Sequence, residues 1–511
     1  MIIFFTNPYR QRIPMNVGAR ATHFTITLTA TAVALTLSGA LTLPAHAAGP
    51  SSVIANDTVW TDTDGNPILA QGGNVLKVGS TYYWVGTKLV SGQPKQVNLY
   101  SSTDLENWTF KGPILSQSGT EGPLAAIGNL WLGRPQLIRN PATGTFVLVV
   151  EVTDPATKRN HVLFATSPTV DGTYKPTEDG ATPVNGTTMG DHSVFVDGSD
   201  AYLVYVGDQG GDINSTVNVA PLGTDWTTVK PAVWSERNTG HKEAPGIVKA
   251  GATYYLFASG MDWWNATPTS YRTSKDMSSW GQDSWKSVAT QPASDNSYGT
   301  QFEQIIPVVG AQGTSYLYNG DRYSQYHGNG APAPGGIGRN AWYPLTFEGG
   351  VPRLHGYTDV DVDAAAGTVT GNPVANGRFD QDVTGAKIPQ WKVTGAARVD
   401  ESTVGDSRRQ LSLWDDTAYS AWVDQQVTLP KGSYKLSFDY RTSGGQNNAY
   451  FEVKDHGSSA VRTDLTTKQE AWTTKTVNFT VTSGKANLGI WADSAKDTWL
   501  NIDNVSVRPA G

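Results

Sequence analysis

Residues 74–86 read Asn-Val-Leu-Lys-Val-Gly-Ser-Thr-Tyr-Tyr-Trp-Val-Gly, which is an alternating apolar run, a Gly-Ser turn and a second run rich in aromatic residues. Two such runs around a short turn predict a β-hairpin. The phrase returns four more times, in residues 136–150, 193–207, 246–260 and 305–320. A repeat of about 50–60 residues predicts an array of similar sheet units. Five such units predict a five-bladed β-propeller, with a β-sandwich array or a β-helix as the alternative.

A second phrase follows some of these hairpins and ends on tryptophan. Residues 101–108 read Ser-Ser-Thr-Asp-Leu-Glu-Asn-Trp, residues 273–280 read Thr-Ser-Lys-Asp-Met-Ser-Ser-Trp, and Asp225-Trp226 is a shortened version. The regular spacing predicts that these tryptophans pack in the gap between neighbouring blades rather than contact a ligand.

Composition restricts both the fold and the partners. The chain has 511 residues, well beyond one domain of about 100–150 residues. Its 54 glycines favour many short strands over long helices. The net charge is −7 and no Lys/Arg cluster occurs, which excludes nucleic acid and anionic membrane surfaces as partners but not a neutral polysaccharide. Cysteine is absent, which excludes disulfides, thiolate nucleophiles and cysteine-based zinc sites.

The first 47 residues have the pattern of a secretory signal peptide. Several arginines precede an apolar stretch at residues 26–43, and Ala45-His46-Ala47 offers small residues at the cleavage positions. A membrane anchor is the alternative, but the stretch is rich in Thr and Ala. We therefore expect cleavage after Ala47 and a secreted, monomeric protein that has no membrane partner after cleavage.

The character of the sequence changes near residues 364–368, after which the hairpin phrase is absent. The last part of the chain predicts strands at residues 421–429, 433–441, 449–455, 474–481, 486–491 and 501–507. This alternation predicts a β-sandwich of the jelly-roll kind. The expected organisation is a signal peptide at residues 1–47, a propeller at 48–366 and a sandwich at 370–511.

Polar residues precede the five hairpin phrases, where a propeller brings strand ends from several blades to one axial pocket. They are Gln71, Arg134, Asp191, Glu243 and Gln301. A carboxylic acid that donates a proton to a leaving oxygen must stay protonated near neutral pH, and burial beside a second carboxylate has that effect on a glutamate. Glu243 is therefore the candidate acid and Asp191 the residue that raises its pKa, although each taken singly is more often a turn or cap residue.

A set of motifs runs through residues 66–363. They are residues 70–76 and 82–86, residues 134–140, Gly190-Asp191, Glu243-Ala244-Pro245, Ser259-Gly260, Gln301 ahead of residues 305–308, and Gly320-Asp321-Arg322-Tyr323. As a set they resemble glycoside hydrolase family 43, and in particular its branch of exo-β-1,3-galactanases. The resemblance implies a five-bladed propeller and an inverting hydrolysis that requires no cofactor.

The resemblance also implies roles for individual residues. Glu243 matches the general acid, and Asp191 matches the aspartate that orients this acid and tunes its pKa. Most family members carry an aspartate before the first blade as general base, but residues 71–74 read Gln-Gly-Gly-Asn. The galactanase branch shares this lack and uses a glutamine to hold the attacking water, which Gln301 matches.

Two positions depart from the branch pattern. Thr87 and Gly133 stand where the branch has glutamates that grip the hydroxyls of the terminal galactose. The loss of two carboxylates should weaken or change sugar recognition. Glu151 and Glu236 are candidates to compensate, although the sequence does not place them.

Substrate binding is predicted for residues near the strand ends whose side chains stack on pyranose rings or donate hydrogen bonds. They are Trp131, Arg134, Trp263, Trp264, Asn265 and Arg322. Since the chain has 17 tryptophans, most of these rings must belong to the core or to blade gaps.

The C-terminal segment resembles the jelly-roll carbohydrate-binding modules of secreted glycosidases, through Asn372-Pro373, residues 376–380 and residues 502–507. The resemblance implies a structural Ca²⁺ held by oxygen ligands, for which Asp380 and Asp503 are the candidates. Candidate stacking platforms are Trp391, Trp414, Trp422, Trp472, Trp491 and Trp499. An inert spacer domain is the alternative.

These features together predict an exo-acting, inverting glycosidase that releases galactose from β-1,3-galactan, such as the backbone of arabinogalactan. A family 43 enzyme with another sugar specificity is the first alternative, namely an arabinofuranosidase, a galactofuranosidase or another β-galactosidase. A non-catalytic propeller that binds glycan without cleaving it is the second.

Overall fold

A computed structural model describes residues 52–90, 95–116, 131–154, 157–177, 188–207, 215–262, 265–281, 285–322, 340–381, 387–402 and 409–510. Within these ranges every regular element is a β-strand, so the predicted all-β class is confirmed. Nowhere in the same ranges does a helix have the length and apolarity needed to cross a membrane. The predicted signal peptide lies outside the described residues.

Five antiparallel meanders follow one another along the chain. The first sheet contains β2 (Val75–Val78), β3 (Thr81–Lys88), β4 (Gln96–Ser102) and β5 (Thr109–Ser116), and the second contains β6 (Leu132–Arg139), β7 (Phe146–Thr153), β8 (Asn160–Ser167) and β9 (Lys175–Pro176). The third contains β10 (Met189–Asp197), β11 (Asp200–Gly207), β12 (Thr216–Pro221) and β13 (Trp234–Arg237), and the fourth contains β14 (Lys242–Ala250), β15 (Thr253–Gly260), β16 (Ser270–Ser274) and β17 (Lys286–Ser287).

The fifth sheet differs because an extra strand joins its outer edge. Its meander contains β19 (Gln301–Gly310), β20 (Gly313–Asp321), β21 (Asn340–Glu348) and β22 (Val351–His355), and β18 (Ala289–Gln291) pairs parallel with β22. The five predicted hairpins are the first two strands of these five meanders, so each of the five predictions is confirmed. Gly79, Gly198 and Gly251 have positive φ at the first turn residue, which favours glycine in two-residue hairpin turns.

The first strands of the five sheets approach one another. Asn74 exchanges hydrogen bonds with the backbone of Leu137, which joins the first sheet to the second. The side chain of Gln304 exchanges hydrogen bonds with the backbone of Val75, which joins the fifth sheet to the first. One cavity of about 180 Å³ is lined by residues of all five first strands, among them Val75, Leu137, Val194, Ile247 and Phe302.

The tryptophans of the second phrase are buried in the interior. Trp108, Trp226 and Trp280 each belong to an apolar cluster, so the prediction that they pack rather than bind a ligand is confirmed. Trp108 lies in a cluster that also contains Trp84 of the first sheet and Trp342 of the fifth. The rings of Trp84 and Trp342 are 5.1 Å apart. This cluster therefore holds the first and last sheets together.

A small sheet adds a second link between the beginning and the end of this region. It contains β1 (Ser52–Ala55), β23 (Asp359–Asp363) and β24 (Thr368–Asn372), in the order β1-β23-β24. Ile54, Val360 and Val362 place its apolar side in the same cluster as Trp84 and Trp342. The change in sequence pattern near residues 364–368 thus coincides with the turn between β23 and β24.

The C-terminal strands form two five-stranded sheets. The first contains β25 (Lys392–Gly395), β28 (Tyr419–Thr428), β33 (Lys485–Ser494), β30 (Asn448–Lys454) and β31 (Val461–Asp464), and the second contains β26 (Ala397–Glu401), β27 (Arg409–Trp414), β34 (Trp499–Pro509), β29 (Gly432–Thr442) and β32 (Gln469–Val481). Alternate residues of both sheets share one apolar cluster, as in face-to-face packing. The six strands predicted for this segment are present. Trp391 is buried in this cluster, so it does not serve as a stacking platform.

The tryptophan cluster predicts a large stability effect at Trp342, whose side chain is 0% exposed. Trp342→Ala should lower the free energy of unfolding by about 3–5 kcal/mol, because it leaves a cavity between the first and fifth sheets. Guanidinium unfolding followed by circular dichroism measures the change. Val309→Ala, at a side chain that is 52% exposed, is the control and should stay within about 0.5 kcal/mol. Equal stabilities for the two variants would contradict the cluster's role.

Candidate active site

Four of the polar residues predicted from the sequence lie within the first three residues of a first strand. They are Arg134 in β6, Asp191 in β10, Glu243 in β14 and Gln301 in β19. Each strand has a register irregularity next to this residue, between Gly133 and Gln136, Met189 and His192, Glu243 and Gly246, and Phe302 and Gln304. Such bulges bend a strand and redirect its side chains, and they are frequent next to active sites.

Two of these bulges contain residues in the left-handed region. Arg134 has a φ of 45° and Ala244 has a φ of 51°. Non-glycine residues rarely adopt this conformation, and they keep it where the surroundings hold them in place. The backbone at the start of β6 and β14 is therefore held by its contacts.

Glu243 is the most strongly perturbed acid of the site. Its side chain is 8% exposed, and the amide Nε2 of Gln301 donates a hydrogen bond to its Oε1 at 2.5 Å. Burial raises the pKa of Glu243 to about 8, and the charge of Asp191 adds to this effect, while Arg134 and the amide of Gln301 oppose it. Glu243 is therefore protonated at neutral pH.

Asp191 lies next to the acid and holds its strand. Its Oδ2 accepts the backbone N–H of Ala244 at 3.0 Å, one residue after Glu243. The same oxygen is 3.5 Å from Nη1 of Arg134. Asp191 thus both fixes the bulge that carries Glu243 and supplies the negative charge that raises its pKa. This geometry agrees with the role that the sequence predicts for Asp191.

Arg134 is almost completely buried, and its side chain contacts groups of two other strands, β10 and β19. Its guanidinium is 3.0 Å from a carboxylate oxygen of Glu303 and donates to the carbonyl oxygens of His192 and Phe302, each at 3.4 Å. With Asp191, these contacts join the second, third and fifth sheets. The structure therefore gives Arg134 a positioning role where the sequence predicts direct substrate binding. Glu303 is not among the residues predicted from the sequence, although a carboxylate within the apolar run of β19 was a signal for it.

Glu151 is one of the two glutamates that are candidates to compensate for the missing carboxylates. It pairs with Gly133 across β6 and β7. Its Oε2 accepts the indole N–H of Trp131 at 2.8 Å, and its Oε1 accepts the amide of Asn160 at 2.6 Å. Burial raises the pKa of Glu151 to about 7, and the charge of Asp191 adds to this effect. A Cβ on Gly133 would lie 2.4 Å from the ring of Trp131. The missing side chain at residue 133 therefore makes room for the indole that Glu151 holds.

Gln301 is in direct contact with Glu243, so no water lies between the two side chains in this arrangement. An inverting glycosidase needs about 6.5–9.5 Å between its acid and the group that activates water. The water-holding role predicted for Gln301 therefore requires its amide to turn away from Glu243 when substrate enters.

Thr87 is buried and its backbone pairs with that of Gln71.

The remaining predicted sugar contacts have different positions. Trp263 and Trp264 lie outside the described residues. Asn265 is exposed, and its backbone N–H donates to the carbonyl oxygen of Asp262, whose charge also raises the pKa of Glu243. Arg322 is only 1% exposed.

The guanidinium of Arg322 forms an ion pair with Asp57 at 2.5 Å and donates to the hydroxyl of Tyr343 at 2.8 Å. Asp57 precedes the first sheet, whereas Arg322 and Tyr343 belong to the fifth-sheet region. The structure thus gives Arg322 a role in joining these parts, in place of the predicted contact with sugar.

The two calcium candidates lie near each other in the C-terminal part. Asp503 accepts hydrogen bonds from the hydroxyl of Ser402 at 2.9 Å and from the N–H of Asn504 at 2.8 Å. Burial raises the pKa of Asp503 to about 8, and the charge of Asp380 adds to this effect. In the part of the chain that the structure describes, no group of three or more acidic or histidine side chains is placed to hold a metal ion. Structural Ca²⁺ at this position stays a prediction.

A buried, protonated glutamate beside an ionisable aspartate is the arrangement expected for acid-catalysed glycoside cleavage. The model of the glycosyl hydrolases family 43 matches residues 65–340, which is more than half of the 511 residues. The chain belongs to glycosyl hydrolases family 43. It is therefore a glycoside hydrolase, and the predicted family is confirmed. The comparison with curated protein sequences gives no match.

Solved structures of family 43 enzymes share the fold of this chain. An exo-β-1,3-galactanase from Phanerochaete chrysosporium is 22% identical, with 89% of this chain and 100% of that chain covered and a TM-score of 0.56. An exo-β-1,3-galactanase from Clostridium thermocellum is 21% identical, with coverages of 88% and 100% and a TM-score of 0.54. A putative exo-β-1,3-galactanase from Bifidobacterium bifidum is 24% identical, with coverages of 59% and 95% and a TM-score of 0.51.

The pKa of Glu243 predicts the pH dependence of this family 43 enzyme. Because an acid must be protonated to act, kcat/KM should fall as the pH rises through about 8. Asp191→Asn removes a negative charge that raises the pKa of Glu243. The fall of kcat/KM at alkaline pH should therefore move to lower pH by about one unit. The control is Asp197→Asn at the other end of β10, where the carboxylate pairs with Lys249. If kcat/KM of Asp191→Asn fell at the same pH as in the unchanged enzyme, the effect of Asp191 on the pKa of Glu243 would be refuted.

The contacts of Glu151 predict a binding defect. A glutamine has only one acceptor oxygen for the two N–H donors of Trp131 and Asn160, so Glu151→Gln should loosen the indole. We expect KM to rise about tenfold with a smaller change in kcat. Gly133→Ala should give the same pattern, because its methyl group occupies the place of the ring. Steady-state kinetics test both variants, and a loss confined to kcat would exclude the positioning role.

Proposed function

We propose that this enzyme is an exo-acting, inverting galactan 1,3-β-galactosidase whose five successive sheets are the blades of a β-propeller. The hydrogen bonds that join the first sheet to both the second and the fifth support closure of the ring. The cavity lined by all five first strands supports a central channel. The C-terminal two-sheet unit completes the proposed architecture as a β-sandwich.

The observation that carries the catalytic assignment is the state of Glu243. It is a buried carboxyl group whose pKa is raised to about 8 next to Asp191. The acid of an inverting glycosidase protonates the leaving-group oxygen while water attacks the anomeric carbon from the opposite face. The carboxyl proton of Glu243 is the one transferred, and Oε1 of the same group accepts the amide of Gln301.

Gln301 is the proposed holder of the attacking water. An amide is a poor base, so this side chain positions the water, and the proton that the water loses passes to solvent once the new C–O bond has formed. As substrate enters between the two side chains, the amide exchanges its contact with Glu243 for one with water. Hydrogen bonds of this kind are often incomplete before substrate binds.

The identity of the sugar rests on the resemblance and on the similar structures, three of which are named as exo-β-1,3-galactanases, one of them putatively. The carboxylate missing at Gly133 is replaced across the strand pair by Glu151, which holds Trp131. A tryptophan ring offers an apolar surface for the C–H face of galactose. This contact supports recognition of a hexopyranose by a changed set of residues.

Thr87 favours a second candidate function, in which the chemistry is the same but the sugar differs. This position has a buried hydroxyl group where the branch has a carboxylate. The loss of a charged hydrogen-bond acceptor changes which sugar hydroxyl groups the pocket binds favourably. The second candidate is a family 43 enzyme for arabinofuranosides, galactofuranosides or other β-galactosides. For both candidates we propose secretion, on the pattern of residues 1–47.

Product analysis tests the proposal. The purified enzyme is incubated with β-1,3-galactan, arabinan and aryl glycosides, and released monosaccharides are identified by chromatography. We expect galactose from β-1,3-galactan, initially as the α-anomer by NMR, because the reaction inverts the β-linkage. Glu243→Gln should reduce hydrolysis of the polymer by about 10²–10⁴-fold. Its effect should be smaller on aryl glycosides, whose leaving groups need less protonation.

The outcomes separate the candidates. Arabinose or another sugar as the main product would replace the first candidate by the second. A β-anomer as first product would exclude inversion. Full hydrolysis by Glu243→Gln would show that another group is the acid.

A further inference from the structure

The outer face of the sheet β25-β28-β33-β30-β31 carries a row of aromatic residues. In β28, Ala421 and Val423 belong to the core, so Trp422 between them points outward. Trp491 in β33 and Tyr450 in β30 alternate in the same way with core residues. Trp422 pairs with Trp491, which pairs with Tyr450. We call Trp422, Trp491 and Tyr450 the aromatic row; all three side chains are half-buried.

The neighbouring Gly489 keeps this face shallow. A Cβ at Gly489 would lie 2.1 Å from the ring of Trp422, so the indole covers the backbone of β33. Trp422 and Trp491 have ring centroids 6.4 Å apart. Three adjacent strands span about 10 Å, so the three rings of the row extend over a length of about two sugar rings.

A buried polar atom without a partner lies beside the row. Asn487 is 8% exposed, and its Nδ2 donates to Asp424 at 2.8 Å. Its Oδ1 has no hydrogen-bond partner. An unpaired buried acceptor costs about 1–3 kcal/mol, so a ligand that supplies a hydroxyl donor is favoured here.

Two cations lie over the row. Arg462 lies 4.3 Å from the ring centroid of Tyr450 and donates to Glu452 at 2.6 Å. The group over Trp422 that a ligand would displace is Lys454. It pairs with Asn487 across β30 and β33, and its ammonium is 4.3 Å from the ring centroid of Trp422. The side chain is long and partly exposed, and its ammonium is 3.5 Å from Glu452. Since Arg462 also donates to Glu452, this carboxylate keeps a partner when Lys454 moves aside. Its movement uncovers both the face of Trp422 and the side chain of Asn487.

The second C-terminal sheet also carries tryptophans on its outer side, and arginines lie over them. Arg398 lies 4.3 Å from the ring centroid of Trp414, and Arg441 lies 4.9 Å from that of Trp472. Arg441 is held there by a hydrogen bond to Asn501 at 3.0 Å. Trp472 therefore provides a matched control position.

The face with the aromatic row continues into a groove of about 1230 Å³ next to the fifth sheet. Lys392, Asp424 and Gln426 line it on one side, and Asp295 and Asn296 line it on the other. The groove thus connects the row to the region that carries the hydrolase sheets. A polysaccharide bound to the row would therefore lie close to the hydrolase sheets of the same chain.

We propose that the aromatic row and Asn487 form a second carbohydrate-binding site for a neutral chain of β-linked hexopyranoses. Such a chain has flat C–H faces for the rings and hydroxyl edges for Asn487, Asp424 and the groove. The net charge of −7 disfavours a polyanionic ligand. The inference needs only that the chain is a glycoside hydrolase and does not depend on which sugar is released.

The test measures binding of soluble β-1,3-galactan and of arabinan by affinity electrophoresis, with the full-length Glu243→Gln protein to prevent hydrolysis. Adding Trp491→Ala should weaken binding of the galactan by about tenfold or more, as expected for the loss of a central aromatic contact. The matched Trp472→Ala protein should bind as before. In the background with Glu243 intact, Trp491→Ala should leave kcat/KM on an aryl glycoside unchanged. Thermal unfolding confirms that each variant is folded.

Unchanged binding in Trp491→Ala, an equal loss in Trp472→Ala, or no binding of the galactan to the full-length protein would overturn the proposal. Binding of the galactan that depends on Trp491, combined with no release of galactose from it, would support this site and count against the proposed galactosidase function alone. The two proposals therefore fail separately.

Discussion

The guanidinium of Arg134 is the contact on which the arrangement of the site depends. It is buried where the first strands of several sheets meet, and it lies between Asp191 and Glu303. A buried charge without partners is very unfavourable, so the carboxylates and backbone carbonyls around it must stay in place. These partners belong to different sheets. The same contact therefore stabilises the approach of the strands and fixes the distance between the acidic side chains.

The surroundings of Asp191 and Glu243 differ, which explains why the pKa of Glu243 is raised. Asp191 contacts Arg134 and the backbone N–H of Ala244, which are both donors. Glu243 has an amide on one oxygen and is otherwise removed from water. Burial together with the charge of Asp191 then favours the protonated form of Glu243. The division of roles thus follows from local donors rather than from residue type.

A tryptophan ring packs over a strand glycine both in the hydrolase sheets and in the C-terminal sheets. Trp131 lies over Gly133 near the acid, and Trp422 lies over Gly489 on the C-terminal sheet. In each pair the missing side chain lets a tryptophan ring lie against the backbone of a strand. A lysine ammonium lies over each ring, Lys95 at 5.3 Å from the centroid of Trp131 and Lys454 at 4.3 Å from that of Trp422. Glycine in a strand is otherwise unfavourable, and close approach of another group is a common reason for it.

The sequence by itself determined the all-β class, the five hairpins, the burial of the phrase-ending tryptophans and the positions of Asp191, Glu243 and Gln301, because alternation and turn residues are local signals. Only the tertiary structure decided the contacts of Arg134, the ion pair of Arg322 with Asp57 and the pairing of Glu151 with Gly133. It also separated Trp391 in the core from Trp422 and Trp491 on a surface. These features join residues far apart in the chain, and register and packing between strands are not encoded in any single segment.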